Sequence, residues 1–243
     1  MRTHYHHHHL AMYHSTAHRM IMLVILAVPF LFFLFFAAIT SISVSQLFEH
    51  IGVSLIRMII AYMIALALAW IAAVLFYKGR QSSIALPIFD VFQSFPTFAI
   101  LPLATYALGA SNVTIISFLI LSIVWPILFS ILSSLKSIKK DWLEAVEMSR
   151  LSGFSYIKLF LFPITIPGLV TGSIIGLGDG WGALIATEII VGTRWGLGSF
   201  FNTFSHNSSL TIFGILGFLL LIFSINKLVW SPLLEWSHHK MEE

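Results

Sequence analysis

Residues 144–168, EAVEMSRLSGFSYIKLFLFPITIPG, interrupt a chain that is 58% hydrophobic and only 9% charged over its 243 residues. The stretch gathers Glu144, Glu147, Arg150 and Lys158 around Gly153, then resumes with Pro163 and Pro167. It is too polar to cross a membrane, yet long apolar runs lie on both sides of it. Average soluble domains carry about 25% charged residues, so this composition, with a mean hydropathy of +0.94, excludes an ordinary globular protein and makes lipid the main solvent. A hydrocarbon core of about 30 Å needs roughly 20 apolar residues per helix.

Working outward, six apolar runs are expected at about residues 20–43, 53–77, 84–108, 113–135, 160–190 and 210–229. The first is longer than the apolar region of a cleaved signal peptide and reads as a retained helix. The third holds Asp90, Pro87, Pro96 and Pro102, so a kink or break is expected there. The fold class is therefore an all-α integral membrane protein of about six transmembrane helices, with a short cytoplasmic coupling helix between the fourth and fifth spans. Residues 20–232 form the membrane domain and 233–243 a cytoplasmic tail. Residues 1–19 hold seven of the eleven histidines and read as a disordered tail or an expression remnant; weak metal binding by His6 to His9 is the alternative. No other metal-ligand spacing stands out, and the absence of cysteine excludes disulfides and thiolate-held metals.

The basic residues select an orientation. Arg2, Arg19, Lys78, Arg80, Lys136, Lys139, Lys140, Arg150, Lys158, Lys227 and Lys240 fall at one face, against Arg57 and Arg194 at or near the other. Cytoplasmic loops are the ones enriched in Lys and Arg. Both termini and the 144–168 stretch are thus expected in the cytoplasm of a multi-pass cell-membrane protein. A net charge of +3 reflects these loops, and nucleic acid is not an expected partner.

Within the polar stretch, Asp141 reads as a helix cap with Glu144 three residues on, and Gly153 as the helix stop. At 100° per residue, Trp142, Ala145, Val146 and Ser149 share one face, with Glu144, Glu147 and Leu151 opposite. Such a helix can pack one face on its own bundle and offer the other to a partner. Pro163 and Pro167 are expected in the first turn of the fifth span, where a proline costs no hydrogen bond.

The run from Glu144 resembles the EAA loop of permease subunits of type I ABC importers, the binding-protein-dependent transport inner-membrane family. The usual pattern is Glu-Ala-Ala, three residues, Gly, nine residues, Ile, one residue, Leu-Pro. Glu144, Ala145 and Val146 match its opening, and Phe160, Phe162 and Pro163 fall at its Ile, Leu and Pro positions. Arg150 stands where the family has glycine, and the glycine appears at Gly153 instead. LFEHIGVSLIRM, FQSFPTFAILPLATYALG, VTGSIIGLGDGWGALIATE and WGLGSFF are similar to permeases of the nitrate, sulfonate, taurine and bicarbonate branch, over about residues 45–240.

The resemblance implies a transport subunit rather than an enzyme, with no catalytic residues. It implies that Glu144, Ala145, Val146, Glu147, Arg150 and Gly153 dock a separate ATP-binding subunit. This chain has no phosphate-binding loop of its own, so it binds no cofactor, and ATP and Mg belong to that partner. A second permease, identical or related, and an extracytoplasmic substrate-binding protein are implied too, with a small oxyanion such as nitrate, a sulfonate, taurine or bicarbonate as solute. The alternative is a subunit of a secondary transporter or channel not driven by ATP.

Ionisable residues inside spans are costly and by default mark a pathway or a buried partner. Arg57 reads either as a side chain reaching the outer interface or as a pore or partner contact. Asp90 is expected to pair with Lys78 or Arg80, and Glu188 to sit at the outer interface. Asp179, with Gly178, Gly180 and Trp181 beside it, reads either as a gate or bend in the translocation helix or as close-packed structural glue.

Overall fold

The computed structural model describes residues 4–40 and 43–242, and side chains over residues 20–40 and 43–237. Among these the protein is all helix. Five helical runs are long and apolar enough to cross a membrane: Met20–Thr40, Val44–Phe76, Asn112–Lys136, Gly153–Val191 and Ser208–Ser237. A sixth is broken into Gly79–Gln93 and Thr97–Leu108, which meet at 66°. The break falls at Pro96, which lacks an N–H and biases the residue before it away from helical backbone. The expected kink is thus a break at Pro96, while Pro87 lies inside a continuous helix.

In chain order the helices are α1 (His4–Thr40), α2 (Val44–Phe76), α3 (Gly79–Gln93), α4 (Leu101–Leu108), α5 (Asn112–Lys136), α6 (Lys140–Met148), α7 (Gly153–Tyr156), α8 (Phe162–Val191), α9 (Leu197–Thr203), α10 (Ser208–Ile225) and α11 (Ser231–Glu242). α1 begins at His4, within the stretch read from sequence as disordered; the side chains of residues 1–19, including His6 to His9, lie outside the described residues. α2 starts nine residues before the expected 53, because the polar Glu49 and His50 belong to the helix.

The chain divides into two compact units, one of residues 1–47 and 204–232 and one of 48–203 and 233–243. In the first, Phe33, Phe36 and Ala37 of α1 are buried, and Ser224 Oγ donates to the Ile25 carbonyl at 2.7 Å. A Cβ at Gly217 would stand 2.7 Å from the Phe32 ring, so α10 approaches α1 at a residue with no side chain.

The second unit is organised by α5 against α8. Along α8, Gly168, Gly172, Gly176 and Gly180 recur every fourth residue and therefore share a face. A Cβ at Gly168 would lie 2.5 Å from the Ser130 carbonyl oxygen, and one at Gly172 2.6 Å from the Ile127 Cα. At Gly176 the Ile123 carbonyl would be 2.9 Å away. Between helices in lipid, association depends on close van der Waals packing rather than on a hydrophobic driving force, and small residues permit it. α2 joins α8 by polar contacts, Tyr62 with Ser173 at 2.9 Å and Trp70 with Thr165 at 3.1 Å.

α8 runs unbroken through Gly176, Gly178, Gly180 and Gly182, so of the readings left open for Asp179 a helix break is not seen: Gly176 and Gly180 pack against Ile123, while a Cβ at Gly178 or Gly182 would meet nothing within 4 Å. Nor does the fifth span begin freely at its prolines. Helix runs continuously from Gly153, and a π turn over Ile157–Leu161 precedes Pro163, with the Phe162 N–H bonded to the Ile157 carbonyl. The wider turn accommodates a residue that cannot donate. The same device recurs at Asn226–Trp230, before Pro232.

Candidate functional site

Three places are candidates for function, and each is built from the 48–203 part of the chain. At the Gly153 end of the α8 run lies α6. Lys139 is its N-cap and makes no side-chain capping bond. Asp141 therefore sits inside the first turn, where its charge favours the helix dipole, rather than at the cap expected from sequence. The helix stops at Ser149, whose hydroxyl donates to the Ala145 carbonyl at 2.7 Å. Gly153 is not its stop: it opens α7 with φ 56. The left-handed turn after α6 is made by Arg150, with φ 50, the position where the EAA pattern has glycine. A non-glycine residue pays roughly 1–2 kcal/mol for that conformation.

Leu143, Val146, Glu147 and Arg150 line a cavity of about 740 Å³ that is completed by Tyr77, Lys78 and Tyr156. Val146 and Glu147 thus share a face, which corrects the opposed placement expected from the helical wheel. Glu144, Ala145 and Met148 lie away from the cavity and are exposed, Met148 by 81%. Lys78 lies over the rings of Tyr77 and Tyr156, whose hydroxyls are 3.1 Å apart. Lys78 is not an ion-pair partner of Asp90; Asp90 is exposed, and among the described residues it pairs with neither Lys78 nor Arg80.

At the other end of α8 the structure brings together residues that sequence reading kept apart. Arg57 Nη1 meets Glu188 Oε1 at 2.6 Å, with side-chain exposures of 8% and 0%. Glu188 is thus a buried partner, not an interfacial residue, and Arg57 resolves to an internal contact. Ser54 Oγ donates to both carboxylate oxygens, at 2.8 and 3.0 Å, and the Gly198 N–H donates to Oε2 at 2.8 Å. The remaining Arg57 donors reach Asn112 Oδ1 and the Trp195 carbonyl. The Leu197 N–H in turn donates to Ser54 Oγ, and the Gly196 N–H to His50 Nδ1 at 3.1 Å.

Every partner of this buried pair comes from α2, α5, the turn at Trp195 or the first turn of α9, so a costly charge is fully compensated within the chain. The segment fits because Gly196 and Gly198 have no side chains. A Cβ at Gly196, where φ is 136, would lie 2.5 Å from the Glu188 carboxyl, and one at Gly198 2.6 Å from Glu188 Cβ. Two signals in the sequence could have found it: His50, Ser54 and Arg57 at helical spacing on one face, and a second membrane charge of opposite sign.

Between these ends, Asp179 and Gly178 face a cavity of about 810 Å³ walled by α3, α5 and α8. Gln93, Ser122, Trp125, Phe129 and Ser130 contribute to its lining. Gly180 and Trp181 do not: Trp181 is 6% exposed, and Gly180 packs on Ile123 and Met58. Asp179 is exposed to the cavity and makes no ion pair among the described residues.

The third span is broken as its prolines led one to expect, and α6 lies exposed between the fourth and fifth spans, where the EAA-like motif falls. The family model for the binding-protein-dependent transport system inner membrane component matches residues 65–229, and the chain belongs to that family. Over 125 residues it is 33% identical to the nitrate import permease protein NrtB of Synechocystis sp., covering 51% of this chain and 44% of that protein. It is 32% identical over 165 residues to the taurine transport system permease protein TauC of Escherichia coli, covering 63% and 56%. Identity to the bicarbonate transport system permease protein CmpB of Synechocystis sp. is 32% over 114 residues, covering 47% and 41%. The chain spans about half the length of the curated relatives it matches.

Proposed function

We propose that this chain is the permease subunit of an ABC importer, forming half of a translocation pathway and coupling through residues 141–163 to ATP hydrolysis on a separate chain. The observation that carries this reading is the placement of α6: one face over its own cavity, and Glu144, Ala145 and Met148 exposed on the other. An exposed acidic and apolar helix face suits a groove on another protein. ATP and Mg act on that ATP-binding partner; a second permease subunit completes the pathway, and an extracytoplasmic binding protein delivers the solute. Both termini and α6 face the cytoplasm in this reading, supported by the eleven-to-two distribution of Lys and Arg. Relatives named for nitrate, taurine and bicarbonate support a small solute with an oxyanion group.

Purification from the native membrane in mild detergent, followed by mass spectrometry, tests the proposal. An ATPase with a phosphate loop is expected to accompany the wild-type chain. Recovery should fall at least roughly tenfold, about 1.4 kcal/mol of binding, on Glu144→Arg. Wild-type recovery of the ATPase with that variant would remove α6 as the docking element. A clean homo-oligomer lacking any nucleotide-binding partner would replace the importer with a transporter or channel not driven by ATP.

A further inference from the structure

We propose that the Asp179 cavity holds a positively charged group of the passing solute, so that the cargo carries a protonated amine, whether or not it also carries an acid. The proposal rests on the importer reading for the word cargo, but its carrying observations are those of the cavity alone.

The first observation is charge. Asp179 is the single charged residue lining the cavity among the described residues, with no lysine, arginine or histidine beside it. An isolated carboxylate at membrane depth repels an anion and is relieved by a cation, since Coulomb terms grow as the surroundings lose water. Nitrate or bicarbonate, with no positive group, would meet an uncompensated like charge here.

The second observation is the proline in the α5 wall. Pro126 lies inside α5 and has no N–H, so the main-chain oxygen of Ser122, four residues earlier, loses its helical donor. Ser122 and Pro126 both line the cavity with Asp179. The Asp179 carboxylate and the Ser122 carbonyl, which lacks its usual i+4 donor, are acceptors on two residues of the cavity lining, and a donor with several N–H bonds suits such a pair. An ammonium fits; nitrate, which only accepts, does not.

The third observation is the aromatic wall. Trp125 faces the cavity and its ring stacks on Phe92 at 6.3 Å with an interplanar angle of 3°, with Phe129 also in the lining. Ring faces attract cations, most strongly when water is excluded. The glycine side of Asp179 keeps the space open, because a Cβ at Gly178 or Gly182 would meet nothing within 4 Å. Sterics therefore do not explain glycine there, whereas they do at Gly172 and Gly176.

The chain contains no cysteine, so one can be placed in the cavity without background. In Ser122→Cys, modification by a cationic methanethiosulfonate should exceed that by an anionic one by roughly tenfold, after correction with an exposed thiol. The preference should vanish in Ser122→Cys with Asp179→Asn and persist with Asp179→Glu. Millimolar ethylammonium should slow modification by a neutral reagent, and sodium nitrate should not. Gly182→Cys gives the same readout if the serine variant does not fold. Equal rates for the two charged reagents, protection by nitrate, or protection by neither salt would overturn the proposal. These readouts need no ATPase, so they fail independently of the importer reading, which is judged by co-purification.

Discussion

Glu188 and Glu144 are carboxylates placed near opposite ends of the same long helical run, and they are treated in opposite ways. Glu188 is wholly buried, held by Arg57 at 2.6 Å, by Ser54 and by the amide of Gly198. Glu144 stands exposed on α6, and no hydrogen bond or ion pair from its own chain engages it among the described residues. A buried charge must be answered inside the protein or the fold is lost. An exposed one on a helix face beside Ala145 and the 81%-exposed Met148 contributes little to folding and remains available for recognition. The Glu188 end of α8 is closed by its own chain, whereas Glu144, on the separate helix α6, is left exposed.

The sharpest way to break this contrast is to remove each carboxylate in turn. Glu188→Ala leaves the Arg57 guanidinium buried without its counter-charge, and thermal unfolding in detergent should show a loss of about 3–5 kcal/mol. Combining it with Arg57→Ala should cost clearly less than the two single changes added, because the second removes the orphaned charge. Glu144→Ala, measured the same way, should stay within about 0.5 kcal/mol of wild type. Similar losses at both positions would dissolve the distinction.

A smaller effect divides the two faces of α8. Gly172→Ala drives a methyl to 2.6 Å from the Ile127 Cα and should destabilise by about 1–3 kcal/mol. Gly178→Ala meets open space and should be neutral or stabilising by up to about 1 kcal/mol, since alanine favours helix. A comparable, small effect is expected at the α6 turn. Arg150→Gly relieves a left-handed residue and should raise stability by about 1 kcal/mol, while a lower melting temperature would show that the arginine side chain matters more than its backbone.

The span count, the broken third span and the family were legible because they depend on local properties: apolar length, proline and a short motif. Arg150, at the position where the motif has glycine, takes a left-handed backbone, as does Gly153 three residues on. The ends of α6 were not legible. Asp141 and Gly153 carry the right propensities for cap and stop, but the helix runs from Lys140 to Met148, one turn short of the glycine.

The early start of α2 was hidden for a related reason. His50 and Ser54 look like the polar margin of a span, yet their partners are Gly196, Leu197 and Glu188, more than 130 residues on. The four-residue ladder from Gly168 to Gly180 was present in the chain as letters, but its meaning lies in the α5 backbone opposite it.

Composition and periodicity sufficed for an all-α membrane protein with a polar interruption, because hydropathy and helix length are set residue by residue against a bilayer of given thickness. Which charges are buried, which glycines are seams and which line a cavity depended on what packs against them. Arg57 and Glu188 could be priced as two intramembrane charges from the sequence; only the fold brings them within 2.6 Å and turns two penalties into one compensated pair, because electrostatic and packing energies depend on separation in space and not along the chain.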